Sequence, residues 1–126
     1  MNKREAHRLI LVVDDNDDNR ELLNLFLSDT GYVVVEARNG LEAIATASKS
    51  SPDLILMDLL MPVMDGFAAV RVIRQTAEIS EIPIVACTAL HSYRFAALDS
   101  GFDEFLTKPL DFRVLDKTLC QFLAQP

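Results

Sequence analysis

Five short apolar runs recur along the chain, separated by stretches with helical periodicity. The runs cover residues 9–13, 32–35, 54–57, 84–87 and 105–107. Their length and their content of aliphatic residues predict β-strands. Between them, apolar side chains recur every three or four residues and predict helices. These helices cover residues 19–29, 41–48, a segment after Asp65-Gly66, about 92–100, and a last segment with Asp111 as its N-cap.

The strict alternation of strand and helix predicts an α/β fold with a parallel sheet and helices on both faces. The first, third and fourth runs are apolar almost throughout, as is typical of strands buried on both sides. The fifth run is more mixed, so we expect it at an edge. Right-handed crossovers leave few topologies. We therefore expect a flavodoxin-like (βα)5 three-layer sandwich with strand order 2-1-3-4-5.

Length, charge and the N-terminal pattern restrict the class of protein. The 126 residues predict a single domain over 1–126 with its core at about 9–122. A net charge of -7 and the lack of a basic stripe argue against a nucleic-acid partner. Lys3 and Arg4 precede an apolar run that is too short for a signal peptide or a membrane span. We expect a cytoplasmic protein with no membrane partner.

The cysteines and histidines do not form a metal site in the sequence. Cys87 lies in an apolar run and Cys120 on a helical face, so both are expected as free, buried or half-buried thiols. His7 and His91 have no partner at ligand spacing and are expected at the surface. Any metal bound here is therefore expected to use oxygen ligands.

The candidate chemistry lies where the predicted strands end. Four of the five runs are followed by, or end in, a polar residue that phosphoryl chemistry can use: Asp14, Asp15, Asp58, Thr88 and Lys108. The fifth, at 32–35, is followed by Glu36, to which the sequence assigns no role. The carboxyl ends of parallel strands meet in one crevice, and order 2-1-3-4-5 makes strands 1 and 3 neighbours. We expect these side chains to converge there.

Converging carboxylates indicate a hard cation. Adjacent carboxylates repel one another, and Mg²⁺ relieves that repulsion because it prefers oxygen ligands. A bound cation can neutralise charge during phosphoryl transfer, for which aspartate is a known nucleophile. Lys108 supplies a positive charge and Thr88 a hydroxyl donor. Each of the two alone has an ordinary surface or strand-end explanation, and only their joint occurrence favours a site.

The chain resembles the receiver domain of bacterial two-component response regulators from about residue 9 to 122. The resemblance is carried by Val-Asp-Asp at 13–15, Asp-Leu-Leu-Met-Pro-Val-Met-Asp-Gly at 58–66, Thr-Ala at 88–89 and Lys-Pro at 108–109. It implies a phosphoacceptor signalling domain rather than an enzyme. The phosphoryl group would reach Asp58 from a phosphohistidine of a histidine kinase or a histidine phosphotransfer protein.

The resemblance also implies a role for individual residues. Asp15, Asp58 and the Leu60 backbone carbonyl would bind Mg²⁺ (or Mn²⁺) directly, and Asp14 would bind it through water. Lys108 and Thr88 would contact the phosphoryl oxygens, and Lys108-Pro109 would be a cis peptide.

A switch and a signal lifetime follow from the same resemblance. Thr88 would move toward the phosphoryl group, and Phe105 would turn inward in place of the family's aromatic residue. The fourth helix, fifth strand and fifth helix would form the output face, for an unidentified target or for a phosphorylation-dependent homodimer. Leu60 and Leu90 would flank the phosphoryl group, and since neither can orient a water we expect slow self-dephosphorylation.

The sequence leaves several alternatives open. The broad apolar surface at Leu22, Leu23 and residues 25–27 fits docking of a phosphohistidine-bearing bundle or burial against the fifth helix. A phosphatase would need a second acid at the position of Leu60, and a flavin-binding module would need a phosphate-binding loop after the first strand. The sequence has neither feature at these places. The sequence is compatible with a stand-alone regulator, with a receiver from a hybrid histidine kinase, and with an interaction module that is not phosphorylated.

Overall fold

The computed structural model describes residues 8–123, which form five strands, five α-helices and two short 3₁₀ turns. The strands are β1 (Leu9–Val13), β2 (Val33–Ala37), β3 (Leu54–Met57), β4 (Ile84–Thr88) and β5 (Glu104–Thr107). The helices are α1 (Asp17–Thr30), α2 (Gly40–Ser50), α3 (Gly66–Arg74), α4 (Arg94–Ser100) and α5 (Phe112–Leu123). The 3₁₀ turns are Ala77–Ile79 and His91–Tyr93.

The strands form one parallel sheet in the order β2-β1-β3-β4-β5, which confirms the predicted topology. The mixed fifth strand lies at an edge, as expected. In the central pair, Val13 of β1 is in register with Met57 of β3, so the two strands end side by side. Residues that follow these two strands are therefore delivered to the same place.

Two apolar clusters pack on opposite faces of the sheet because alternate residues of a strand point to opposite sides. In β1, Leu11 and Val13 belong to the cluster with α2, α3 and α4, while Ile10 and Val12 belong to the cluster with α1 and α5. Burial on both faces explains why β1, β3 and β4 are apolar almost throughout.

Two element boundaries differ from the sequence prediction. β2 runs from Val33 to Ala37 rather than over 32–35, because the Tyr32 N–H still donates to Leu27 at the end of α1. α4 begins at Arg94 rather than at residue 92, because a 3₁₀ turn precedes it. Apolar periodicity does not distinguish such a turn from the first turn of a helix.

The helix termini follow the local sequence. The side chains of Asn16, Asn39, Asp65 and Asp111 each accept a hydrogen bond from a backbone N–H of the helix that follows. Gly31 ends α1 with φ +110°, a backbone conformation that favours glycine.

The cysteine prediction is confirmed for Cys87 and wrong for Cys120. Cys87 is buried in β4, and burial raises the pKa of its thiol to about 12. Cys120 is exposed because Thr118 and Leu119 occupy the buried face of that turn of α5. His91 is exposed as expected, whereas His7 lies outside the described residues. Within residues 8–123, none of the helices is long and apolar enough to cross a membrane.

Val63 is a point of backbone strain in the loop between β3 and α3. It has φ +71°, which is unfavourable for a β-branched residue, and its side chain is 77% exposed and gains little from packing. We expect Val63→Asn to stabilise the fold by about 1 kcal/mol, because asparagine tolerates positive φ. Urea denaturation measures the change. Val63→Ala also removes the exposed methyl groups, but alanine does not tolerate positive φ as asparagine does, so its gain in stability should be smaller. An equal gain in the two variants would contradict the strain explanation.

Candidate functional site

Three carboxylates converge at the carboxyl end of the sheet. Asp14 and Asp15 follow β1 and Asp58 follows β3, and one carboxylate oxygen of each lies within 4.8 Å of the others. Asp14 is 2% exposed, Asp58 is half-buried and Asp15 is exposed. The predicted convergence of these residues is therefore present in the structure.

Lys108 lies between two of the carboxylates. Its Nζ donates to Asp14 Oδ2 at 2.6 Å and to Asp58 Oδ2 at 2.9 Å. The other oxygen of each carboxylate accepts from the backbone: Asp14 Oδ1 from the Asn16 N–H at 2.9 Å, and Asp58 Oδ1 from the Leu59 N–H at 2.7 Å. Both carboxylates are thus held in fixed orientations.

The charge of Lys108 is stabilised by its partners. Burial alone lowers the pKa of the amine, but the hydrogen bonds and charges of Asp14 and Asp58 outweigh burial and raise it above its ordinary value. The site therefore keeps one positive charge among three acids at neutral pH.

Thr88 and Lys108 are joined through the main chain. Thr88 is 2% exposed at the end of β4, and its carbonyl accepts the Lys108 N–H at 2.8 Å. The peptide bond between Lys108 and Pro109 is cis, as the resemblance implied. The loops after β4 and β5 therefore meet beside the acids, with Thr88 and Lys108 both on that edge.

Gly66 allows the loop after Asp58 to fold back. Its N–H donates to the Leu59 carbonyl at 2.8 Å, and a Cβ at this position would lie 2.4 Å from the Asp58 carbonyl oxygen. The loop also contacts α2, since the Gly40 N–H donates to the Met64 carbonyl at 2.8 Å. These contacts hold the backbone that carries Asp58.

The remaining predicted residues differ in their burial. Leu60 and Leu90 are 45% and 39% exposed. Phe105 is 3% exposed and packs in the core, with the Arg94 guanidinium 5.8 Å from its ring centre. Among residues 8–123, no group donates a hydrogen bond to the Leu60 carbonyl oxygen, which keeps its lone pairs.

The sequence missed two residues that contact this region. Arg20, on α1, donates to the Asp14 backbone carbonyl at 2.8 Å and to Glu36 at 3.1 Å. Glu36, to which no role was assigned, also accepts from Asn24 at 2.6 Å. The spacing of an arginine in one helix and a glutamate after a different strand does not reveal such a contact. Only the packing of α1 beside β2 brings the two side chains together.

The donor set fits a hard divalent cation. Carboxylate and carbonyl oxygens are the ligands that Mg²⁺ and Mn²⁺ prefer. In the described part of the chain, neither of the cysteines nor His91 belongs to the acidic cluster, so soft ligands are not part of it. The arrangement of one ammonium and three acids suits a metal-assisted transfer of a phosphoryl group.

Fold and site together are those of a receiver domain, the class of signalling domain that is phosphorylated on an aspartate. The family model described as "Response regulator receiver domain" matches residues 10–119. The chain belongs to this family and is a receiver domain of two-component systems.

Individual relatives differ in length from this chain. An uncharacterised 14.6 kDa protein of Leptolyngbya boryana is 42% identical over 120 residues, which cover 93% of this chain and 92% of that protein. The response regulator PleD of Caulobacter vibrioides is 43% identical over 104 residues, but these cover 81% of this chain and only 23% of PleD. The chain thus corresponds to a whole small protein in one case and to one part of a larger protein in the other.

Solved structures agree with the fold. A response regulator from Chloroflexus aurantiacus superposes with a TM-score of 0.89 at 31% identity, covering 94% of this chain and 99% of the other. The receiver domain of Saccharomyces cerevisiae Ssk1, solved with the histidine phosphotransfer protein Ypd1, gives 0.85 at 31% identity, covering 92% and 88%.

Proposed function

We propose that Asp58 is the phosphoacceptor of this receiver domain and takes its phosphoryl group from a phosphohistidine of a histidine kinase or histidine phosphotransfer protein. The observation that carries the proposal is the Lys108 ammonium, 2.9 Å from Asp58 and 2.6 Å from Asp14. A positive charge in that position can attract the oxygens of an incoming phosphoryl group and hold them beside the carboxylate.

Each residue of the site has its own role in the proposed phosphoryl transfer. An oxygen of Asp58 forms the new bond to phosphorus while the bond from phosphorus to the imidazole nitrogen breaks, leaving the histidine neutral. Lys108 and the Thr88 hydroxyl bind oxygens of the transferred group. Asp15, Asp58 and the Leu60 carbonyl would hold Mg²⁺ (or Mn²⁺), and Asp14 would contribute through water. The cation, when bound, neutralises charge on the transferred group.

Labelling with a small phosphodonor tests this proposal. The protein is incubated with an acyl phosphate or phosphoramidate, with Mg²⁺ or with EDTA, and its intact mass is measured. We expect Mg²⁺-dependent phosphorylation of the wild type and none of Asp58→Asn. Asp65→Asn is the matched control, because it changes an acid of the same loop and asparagine still caps α3. Labelling of Asp58→Asn equal to wild type would refute the assignment, and no labelling of wild type would favour an unphosphorylated interaction module.

The phosphodonor surface that we propose lies on α1 beside the acids. Leu22 and Leu25 are 53% and 64% exposed. Phe26 instead stacks on Phe112 of α5, with ring centres 4.5 Å apart. The apolar surface of α1 is therefore divided between packing against α5 and exposure.

A groove adjoins the exposed part of α1. It has a volume of about 440 Å³ and is lined by Leu22, Lys108, Pro109 and Phe112, among others. Because Lys108 is also part of the site, a helical bundle in this groove would bring its phosphohistidine close to Asp58. The Ssk1 receiver, which was solved with a phosphotransfer protein, supports a partner of that kind.

We propose that Thr88 and Phe105 change conformation when the domain is phosphorylated. The Thr88 hydroxyl would move toward a phosphoryl oxygen and leave space beside β4. Phe105 is already buried, so its response would be a repacking within the core that shifts Arg94, which covers its ring and lies 3.8 Å from Glu104. The α4–β5–α5 face is then the surface offered to a downstream protein or to a second phosphorylated copy. The same assignments hold for a receiver within a hybrid histidine kinase.

Leu60 and Leu90 are expected to make dephosphorylation slow. Both side chains are partly exposed, and a leucine side chain cannot hydrogen-bond an attacking water and so cannot orient it. The double variant Leu60→Asn, Leu90→Glu should lose its phosphoryl group about tenfold faster, because a positioned polar group assists proton transfer. Intact mass followed over time gives the rate. Leu41→Asn, which changes another exposed leucine, on α2, is the control. An unchanged rate in the double variant would contradict the expectation.

A further inference from the structure

Arg20 connects three segments behind the acidic cluster. Its guanidinium donates to the Asp14 backbone carbonyl at 2.8 Å, to Asp17 at 2.5 Å and to Glu36 at 3.1 Å. Its side chain is only 11% exposed. Asp17 lies in the first turn of α1 and Glu36 in β2. Arg20 therefore joins the end of β1 to the neighbouring strand and helix.

The acceptor that Arg20 holds is the carbonyl of the peptide between Asp14 and Asp15. The orientation of this peptide plane sets the direction in which the Asp15 side chain leaves the backbone. Within residues 8–123, neither a hydrogen bond nor an ion pair holds the exposed Asp15 carboxylate itself. Asp14, in contrast, is held through its own side chain by Lys108 and by the Asn16 N–H. The direction of Asp15 thus depends on its backbone.

Glu36 fixes Arg20 from the other side. One of its carboxylate oxygens accepts from Arg20 Nε, and the other accepts from the Asn24 side-chain amide at 2.6 Å. Asn24 in turn accepts the Ser28 hydroxyl at 2.8 Å. This chain of contacts along α1 leaves the guanidinium few alternative orientations, since a bidentate or multiply bonded arginine is geometrically restricted.

We propose that Arg20, held by Glu36 and Asp17, is a positioning residue that aims the Asp15 carboxylate and thereby sets the affinity of the site for Mg²⁺. The inference rests on the proposed function of the acidic cluster as a metal site. A partner that orients a ligating carboxylate affects metal affinity about tenfold or more in other proteins. Arg20 would act without touching the metal or the phosphoryl group.

The competing explanation is that Arg20 only stabilises the fold. An i,i+3 ion pair with Asp17 and a cross-strand pair with Glu36 are ordinary structural contacts. The two explanations differ in their consequences. A structural contact changes the unfolding midpoint in EDTA, whereas a positioning contact changes metal affinity at an equal fraction folded.

The test compares Arg20→Gln, Arg20→Lys and Glu36→Gln with wild type. Mg²⁺ dissociation constants are measured by titration of backbone amide NMR shifts, and unfolding midpoints are measured in EDTA. Arg38→Gln is the matched control: it removes the same charge from a residue directly after β2 whose side chain is 67% exposed and pairs with Glu42.

We expect Arg20→Gln to bind Mg²⁺ about tenfold more weakly and to shift the Asp15 amide signal even in EDTA, with Arg38→Gln near wild type. Arg20→Lys should not restore the affinity for Mg²⁺, because an ammonium lacks the planar fork of the guanidinium. The affinity of Glu36→Gln should lie between those of wild type and Arg20→Gln. If wild type binds Mg²⁺ and Arg20→Gln binds it equally, the positioning role is wrong and the proposed function stands. If wild type itself binds no Mg²⁺, the proposed function fails.

Discussion

Replacing Lys108 by methionine is expected to destabilise the fold by about 2–3 kcal/mol in EDTA, because it leaves the buried Asp14 without its cation. The Asp14 side chain is 3% exposed and that of Lys108 18%, so the pair is largely shielded from water. Methionine preserves the length and the apolar contacts of the lysine stem. Urea denaturation in EDTA gives the change in the free energy of unfolding.

Metal affinity should move in the opposite direction to phosphorylation in this variant. The ammonium repels a cation bound by the same acids, so Lys108→Met should bind Mg²⁺ more tightly and recover stability when Mg²⁺ is added. Phosphorylation by a small donor should nevertheless become about a hundredfold slower, because the variant lacks the positive charge that Lys108 holds beside the transferred group. Tighter metal binding with normal phosphorylation would show that Lys108 serves only to balance charge.

A double-variant cycle separates the ion pair from the packing of the lysine stem. In Asp14→Asn the side chain is still polar but carries no charge, so removing Lys108 from that background should cost much less than in wild type. If the two losses of stability are equal, the contact at 2.6 Å contributes little and the cost of losing Lys108 arises from its stem.

Gly66→Ala is expected to cost about 2–3 kcal/mol and to impair phosphorylation at the same time, since overpacking forces the backbone to move. The added Cβ would lie 2.4 Å from the Asp58 carbonyl oxygen and 3.0 Å from Leu59 Cα. Both are backbone atoms, which cannot rotate away as the end of a flexible side chain does. The displacement therefore falls on Asp58, the residue that we propose as the phosphoacceptor.

Gly31→Ala is the matched control for that variant. Gly31 has φ +110°, so alanine is strained there, but a Cβ would meet nothing within 4 Å. We expect a loss of about 1–2 kcal/mol from strain with unchanged phosphorylation and Mg²⁺ affinity. Denaturation and mass-based labelling of both variants provide the comparison. Equal loss of phosphorylation in the two would mean that general destabilisation, not displacement of Asp58, is responsible.

The difference between β2 and the other strands shows where sequence reasoning stops. The runs at β1, β3 and β4 are buried on both faces, so their limits could be read from apolar character alone. β2 lies at an edge, with Val33 49% exposed, and its pairing with β1 extends it to Ala37. An edge strand is defined by its partner more than by its own composition.

Glu36 and Arg20 illustrate the same limit at the site. The sequence predicted that Asp14, Asp15 and Asp58 lie close together, because parallel strands end at one edge and the flavodoxin-like order, one of the few that handedness allows, makes β1 and β3 neighbours. The contact of Arg20 with Glu36 and with the Asp14 carbonyl depends on how α1 lies against β2. The periodicity of apolar residues along the chain does not predict a side-chain contact between a helix and a strand.

By itself, then, the sequence determined the parallel sheet, its strand order and the set of polar residues at its carboxyl edge. It could do so because strands buried on both faces are apolar, and because right-handed connections leave few strand orders, among which 2-1-3-4-5 is a common one for five parallel strands. The tertiary structure alone decided which atoms meet: that Lys108 bridges Asp14 and Asp58, that Gly66 has no room for a Cβ, and that Arg20 holds the peptide before Asp15. Lys108 is 94 and 50 residues from its two partners in the chain, and all three arrangements exist only once the loops and helices have packed on the sheet.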